Sequence, residues 1–97
     1  MKDMILDANL APSKELACAV QNRTKVSAKN RGVRQALFYV LLGADMPSIL
    51  IEAGFMNSKV DRDRILNTES RLNLAAQIAA AVDDYRMKKP GVQCSVL

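Results

Sequence analysis

The sequence predicts an α/β fold, in the form of a partial three-layer domain with the order helix, strand, strand, helix, helix. Two observations predict it: apolar residues recur at helical spacing near both ends, and two short continuous apolar runs lie between them. The length gives a further indication. The 97 residues contain only two predicted strands, and a sheet of two strands alone is marginally stable. We therefore interpret these strands as part of a larger mixed sheet that is flanked by helices.

The first predicted helix covers residues 13–26. Pro12 is well placed near its first turn, where the missing N–H of proline does no harm. An apolar stripe with helical spacing is formed by Leu16, Ala17 and Val20. Residues 1–12 are predicted to be an N-terminal loop.

The two predicted strands are residues 37–42 and 48–53, which are rich in branched or aromatic apolar side chains. Continuous apolar runs of this length are typical of strands buried on both faces. The five-residue link between them is too short for a helical crossover, so direct pairing would be antiparallel.

Two further helices are predicted after the strands. Ser58, followed three residues later by Asp61, resembles a capping box at the start of a short helix that ends near Leu66. Asn67 or Thr68 caps a second, amphipathic helix that continues to about residue 88. Pro90 and Gly91 end that helix, and residues 90–97 are predicted to be a flexible tail. The folded part is thus residues 13–89.

Composition narrows the classes of function. The chain has 49% hydrophobic and 25% charged residues, which is typical of a globular domain. The net charge of +4 is modest, and basic residues are densest in residues 23–34. No aromatic residue lies among them to stack on bases, so we expect a solvated or anion-facing surface and no nucleic-acid binding.

The cysteines and the termini give further expectations. Cys18 lies on a helical pattern and is predicted to be a small core residue, whereas Cys94 lies in the tail as a free thiol. The N-terminus has an acid within its short apolar stretch, so it does not read as an export signal. No apolar run approaches the length of a membrane span.

The residues that indicate chemistry lie in 46–57, an apolar run that ends in Glu52 and is followed by Gly54 and a polar turn. An isolated carboxylate in an apolar segment is unfavourable unless a partner or a reaction uses it. Two readings remain open from spacing alone: a general acid–base group, or a strand-end carboxylate paired with an arginine. Gly54 is predicted to provide a backbone turn that a Cβ would block.

Several segments together resemble a known family. They are Asn30–Ala36, Phe38–Leu41 and Met46–Asn57, with Ser13-x-x-Leu16-Ala17 upstream and Arg71-x-x-x-Ala75-x-x-Ile78 downstream. In this order they resemble the zinc-dependent N-acetylmuramoyl-L-alanine amidases of the amidase-3 type. The resemblance covers roughly residues 10–85 and corresponds to the C-terminal half of the family's catalytic domain.

The resemblance implies a peptidoglycan hydrolase of the periplasm or cell wall. Its reaction is hydrolysis of the amide that joins N-acetylmuramic acid to the first L-alanine of the stem peptide, and its substrate is the peptidoglycan glycopeptide. The family's zinc is held by two histidines and a glutamate upstream of this region, and a second, catalytic glutamate corresponds to Glu52. Arg31 and Arg34 are either surface residues or contacts to carboxylates of the stem peptide.

The sequence departs from the family in one respect, which determines whether we expect the chain alone to bind zinc and to be active. It contains no histidine, so the family's zinc ligands are missing, and we assign no metal ligand here. We expect the chain alone to bind no catalytic zinc and to be inactive. The alternative is a non-catalytic small binding or assembly protein derived from an amidase, self-associating through exposed strand edges.

Overall fold

A computed structural model describes residues 2–24, 32–33, 41, 43–88 and 94, with side chains of the first helix described from residue 9. These residues form three α-helices. They are α1 (Lys2–Thr24), α2 (Lys59–Leu66) and α3 (Thr68–Arg86). None of the described helices is both long and apolar enough to cross a membrane.

The predicted α/β fold class is wrong for the described part of the chain, which consists of helices and irregular segments without a strand. Residues 48–53, the second predicted strand, have no regular secondary structure, and of residues 37–42 only Leu41 is described. The physical reason is that a strand needs a neighbour for its backbone hydrogen bonds. Without one among the described residues, Leu50 and Ile51 stay 44% and 41% exposed. The strand edges predicted for self-association have no counterpart in these residues.

Helix α1 begins at Lys2 and so extends through residues that we predicted to be an N-terminal loop. Pro12 lies inside the helix and not at its first turn. Residues 2–11 contain Met, Leu and Ala, which favour helix. Their preference outweighs the loss of the one backbone hydrogen bond that Pro12 cannot make, so the helix continues through it. At the other end, the Thr24 hydroxyl donates to the Val20 carbonyl at 2.8 Å.

Helices α2 and α3 confirm the prediction from the capping residues. Ser58 caps α2, where its hydroxyl accepts a hydrogen bond from the Asp61 N–H at 3.3 Å. Asn67 caps α3, where its side-chain oxygen accepts from the Ser70 N–H at 2.9 Å. Each cap satisfies a backbone donor that the first helical turn leaves without a partner.

The described core lies where α1 packs against α3. Ala19 and Val20 of α1 and Ala81 of α3 are buried, and the small alanines allow the two helices to approach closely. The partly buried apolar residues packed against this cluster are Ile49, Ile78 and Tyr85. Ile49 is the member that matters for the site, because it attaches the segment before Glu52 to the helix pair.

An ion pair also joins the two long helices. Arg23 Nε and Nη2 donate to Asp84 Oδ2 and Oδ1 at 2.6 and 2.9 Å, which is a two-pronged contact between a half-exposed guanidinium and a buried carboxylate. The hydrogen bonds and the negative charge of Asp84 raise the pKa of Arg23. This geometry fixes the rotation of α1 relative to α3.

The two cysteines form a disulfide, so the prediction of a free thiol at Cys94 is wrong. Cys18 is buried, as predicted, and its sulfur bonds to that of Cys94, 76 positions later in the sequence. Sequence spacing showed no metal or redox motif, and it carries no information on a pairing between positions so far apart. The bond ties α1 to the C-terminal end of the chain.

Candidate functional site

Glu52 lies in an irregular segment between the helix pair and the start of α2, and its side chain is exposed. Among the described residues it makes no hydrogen bond and no ion pair. The arginine partner of the alternative reading is therefore absent from this part of the chain. The catalytic role of Glu52 stays a prediction.

The segment is held on its upstream side by α1. The Ser48 N–H donates to the Ser13 hydroxyl at 2.9 Å, and the Ile49 side chain packs against the core cluster. In the sequence, Ser13 was notable only as a helix residue in the family-like pattern. Its hydroxyl fixes the backbone four residues before Glu52.

The segment is held on its downstream side by two residues of α2, Asp61 and Arg64, which we call the α2 clamp. Asp61 Oδ2 accepts a hydrogen bond from the Phe55 N–H at 3.0 Å. Arg64 Nη2 donates to the Ala53 carbonyl at 2.9 Å and lies 3.2 Å from Asp61 Oδ1. The two side chains thus bind the backbone on both sides of Gly54, directly after Glu52.

Gly54 makes this close approach possible. Its φ is +156°, and a Cβ at this position would lie 3.0 Å from the Asp61 Cβ and 3.1 Å from the Asp61 Cγ and Arg64 Nη2. A Cβ at such distances forces its neighbours to move. As predicted, a Cβ at position 54 would be blocked, and the atoms that would block it belong to the α2 clamp, whereas the turn itself lies at residues 56–57.

A turn completes the connection to α2. The Ser58 N–H donates to the Phe55 carbonyl at 3.1 Å, and Arg62 Nη1 donates to the Met56 carbonyl at 2.9 Å. Since Ser58 also caps α2, the turn and the helix are one continuous hydrogen-bonded unit. The backbone after Glu52 is therefore fixed by polar contacts at several successive residues.

The large side chains near Glu52 in the sequence are mostly apolar and open to solvent. Large exposed apolar residues of this segment are Met46, Leu50, Ile51, Phe55 and Met56. An isolated carboxylate among exposed apolar side chains is an arrangement suited to acid–base chemistry on a substrate that covers it. Arg31 and Arg34, the predicted substrate contacts, lie outside the described residues.

The residues of this chain do not fit the zinc site that the resemblance implies. The sequence has no histidine, and within the described ranges no three cysteine, aspartate or glutamate side chains lie close enough together to hold a metal ion. A catalytic zinc site needs three protein ligands. We therefore derive no chemical step through zinc from these residues.

Sequence reasoning missed the α2 clamp. Asp61 was noticed only as the third residue after Ser58, where its carboxylate would serve the cap. In the structure that carboxylate points back to Phe55 and Arg64 instead. The sequence does contain a signal for the clamp: Asp61 and Arg64 are an acid and an arginine one helical turn apart, and they follow shortly after Gly54.

Comparison with known proteins gives matches over most of the chain. The family model of N-acetylmuramoyl-L-alanine amidases (amidase-3) matches residues 4–84. A protein of Bacillus anthracis named as an uncharacterized cell wall amidase is 37% identical over 75 residues, which cover 75% of this chain and 14% of that protein. The uncharacterized protein YqiI of Bacillus subtilis (strain 168) is 32% identical over 75 residues, covering 75% of this chain and 36% of that protein.

The chain thus spans little more than a third, or less, of the length of these two relatives. No solved structure matches the chain.

Proposed function

Since the chain belongs to the N-acetylmuramoyl-L-alanine amidase family, we propose that it provides the Glu52-bearing part of a peptidoglycan hydrolase. The substrate is the amide between the lactyl group of N-acetylmuramic acid and the first L-alanine of the stem peptide. Glu52 is its catalytic carboxylate. Family membership supports the class of reaction, and the geometry of the segment supports the choice of residue.

One observation carries the assignment of Glu52. Its carboxylate is exposed and makes no hydrogen bond or ion pair with the described side chains, while the backbone on both sides is held by Ser13 and by the α2 clamp. The alternative role, a strand-end carboxylate paired with an arginine, would require such a partner, and Glu52 has none among the described residues. A fixed backbone that presents an unused carboxylate is the arrangement that a general acid–base residue needs.

The chemistry follows from the carboxylate. Water attacks the carbonyl carbon of the amide, and Glu52 takes a proton from that water. The C–N bond then breaks, and the proton passes from Glu52 to the leaving nitrogen of L-alanine. The products are a free carboxylate on the sugar and a free amine on the peptide, and Glu52 returns to its starting state.

Zinc enters as an expectation for the family and is assigned to no residue of this chain. The histidine ligands that the family's zinc needs are not among these 97 residues. The share of the relatives covered, 36% and 14%, leaves ample sequence in those proteins for such ligands. We therefore assign to this chain the carboxylate and its supporting backbone.

The disulfide supports a location outside the cytoplasm. Disulfides persist in oxidising compartments and are rare where thiols are kept reduced. The Cys18–Cys94 bond and the relative named as a cell wall amidase both favour a protein that works at the cell wall.

A chimera tests the proposal. Residues 4–94, which contain the family match and both cysteines, replace the matching region of a family member whose amidase activity is established, and release of stem peptide from purified peptidoglycan is measured. The Glu52→Gln variant keeps the shape of the side chain but cannot take up the proton. We expect it to lose activity by about 100-fold or more. Glu69→Gln, an exposed glutamate in the first turn of α3, is the matched control and should keep full activity.

Folding and metal content of each chimera are measured alongside, so that a loss of activity is assigned to chemistry only when both are unchanged. Full activity of Glu52→Gln would remove Glu52 from the mechanism and favour the non-catalytic binding role.

A further inference from the structure

We propose that Asp61 and Arg64 are positioning residues for Glu52, acting through the backbone of Ala53 and Phe55. This inference rests on the proposed function, because it assigns to α2 the task of aiming the catalytic carboxylate. In this proposal, neither Asp61 nor Arg64 contacts the substrate. Their contribution is to fix the direction in which the chain leaves Glu52.

The α2 clamp contains a buried carboxylate, which needs partners. Asp61 is 7% exposed, and a buried carboxylate is unfavourable unless it is paired and hydrogen-bonded. Arg64 lies 3.2 Å away and the Phe55 N–H 3.0 Å away, so both requirements are met. A capping role alone would not need burial, because the Ser58 hydroxyl already accepts from the Asp61 N–H.

The α2 clamp holds the backbone on both sides of Gly54. Ala53 is the residue after Glu52, and its carbonyl accepts from Arg64; Phe55 lies two positions further, and its N–H donates to Asp61. One peptide carbonyl and one peptide N–H on opposite sides of Gly54 are therefore tied to the same pair. These contacts restrict the backbone dihedrals between them and leave no free hinge at glycine.

The backbone around Glu52 is anchored on both sides. Since the Glu52 side chain has no hydrogen-bond or ion-pair partner among the described residues, the contacts of the protein act on Glu52 through its backbone, which sets the direction of the Cα–Cβ bond. The upstream anchor is the Ser13–Ser48 hydrogen bond, and the downstream anchor is the α2 clamp. Release of the downstream anchor should let Glu52 move relative to a bound substrate, with little effect on the helix pair.

The first test uses the 97-residue chain itself. Hydrogen exchange at the Phe55 amide is compared between the native chain and Asp61→Ala, with the amides of α3 as internal reference. We expect exchange about tenfold faster at Phe55, because the hydrogen bond to a charged acceptor is lost. Asp63→Ala is the matched control, since Asp63 lies on the same helix but is exposed and pairs with Lys59. Equal exchange at Phe55 in all three proteins would overturn the proposal.

The second test measures activity in the chimera described above. Asp61→Ala should lower kcat by about 10- to 100-fold with little change in KM, because the carboxylate is misplaced while substrate binding is retained. Arg64→Lys should cause a smaller loss of the same kind, since the ammonium keeps the charge but lies on a shorter side chain that reaches less far than Arg64 Nη2, which contacts both partners. Unchanged kcat in both folded variants would contradict a positioning role.

A double-mutant cycle separates this inference from the proposed function. If Asp61 acts only through Glu52, then adding Asp61→Ala to Glu52→Gln causes no further loss of activity. If the two losses multiply, Asp61 acts by another route and the positioning role is wrong. If Glu52→Gln alone is harmless, the proposed function fails, and the exchange result at Phe55 still reports whether the clamp holds the backbone.

Discussion

The helix pair and the Glu52 segment are held together by opposite means. Where α1 meets α3, buried alanine and valine side chains pack closely, and the Arg23–Asp84 pair joins the helices. In residues 46–58 the large apolar side chains are mostly exposed, and the contacts described above run to the backbone. The helix pair is stabilised mainly by burial, whereas the segment, apart from Ile49, is held by hydrogen bonds.

This difference shows how a small protein can fix a segment that it does not bury. Hydrophobic contacts are non-directional, so they bring elements together without setting the position of one peptide group. Hydrogen bonds to backbone groups are directional and do set it. The exposed surface around Glu52 therefore remains available for a ligand while its backbone is held.

The largest expected effect on stability comes from the disulfide, which belongs to the helix-pair side of the comparison. A variant with both Cys18→Ser and Cys94→Ser should lose about 2–4 kcal/mol of unfolding free energy, because the unfolded chain is no longer constrained over a long loop. Urea unfolding followed by circular dichroism measures this loss, and the native chain with reductant should behave like the variant.

The Glu52 segment should not respond to the same change. Its downstream contacts arise from α2, not from the disulfide, so the Phe55 amide should keep its hydrogen-exchange protection in the folded variant. Lost protection at Phe55 in the folded variant would show that the two regions are not independent.

A smaller effect is expected from Gly54→Ala. The added Cβ meets Asp61 and Arg64 and also requires an unfavourable positive φ, so we expect a loss of about 2 kcal/mol in unfolding free energy. Gly43→Ala is the matched control, since Gly43 has φ +86° but nothing within 4 Å of an added Cβ. Its loss should be about 1 kcal/mol, from the backbone alone. Equal losses in urea unfolding would mean that the close contact at Gly54 relaxes freely.

The smallest effect is expected from Asp84→Asn, which keeps the shape of the side chain and removes its charge. Because Arg23 is partly exposed and can return to solvent, we expect a loss of about 1 kcal/mol. Asp83→Asn is the neighbouring control: its side chain is exposed and pairs with Arg86 one turn away, so the change should be within a few tenths of a kcal/mol. Indistinguishable melting temperatures for the two variants would show that the interhelix pair adds nothing.

The parts of the fold that were predictable are those with local causes. Helices α2 and α3 follow from Ser58, Asn67 and helical spacing, all of which act within a few residues. The predicted strand at 48–53 failed because a strand depends on neighbours that the apolar run itself does not specify. Pro12 does not mark the start of α1, because a helix tolerates one such residue in its interior.

The site was predictable to a similar extent. Gly54 could be singled out because its neighbourhood reads as a turn. The partners that surround Glu52 could not: Ser13 reaches Ser48 across 35 positions, and Asp61 uses its carboxylate in a direction that capping patterns do not indicate. Contacts of this kind are set by tertiary packing, and the Cys18–Cys94 bond is the most distant example.

The close approach of Gly54 to the α2 clamp also has an evolutionary consequence. A mutation to alanine at position 54 crowds Asp61 and Arg64, and loss of Asp61 leaves Arg64 without its carboxylate. Each of the three residues therefore makes the others harder to replace one at a time. Divergence at these positions should proceed by joint replacement, so that lineages either keep all three residues or change them together.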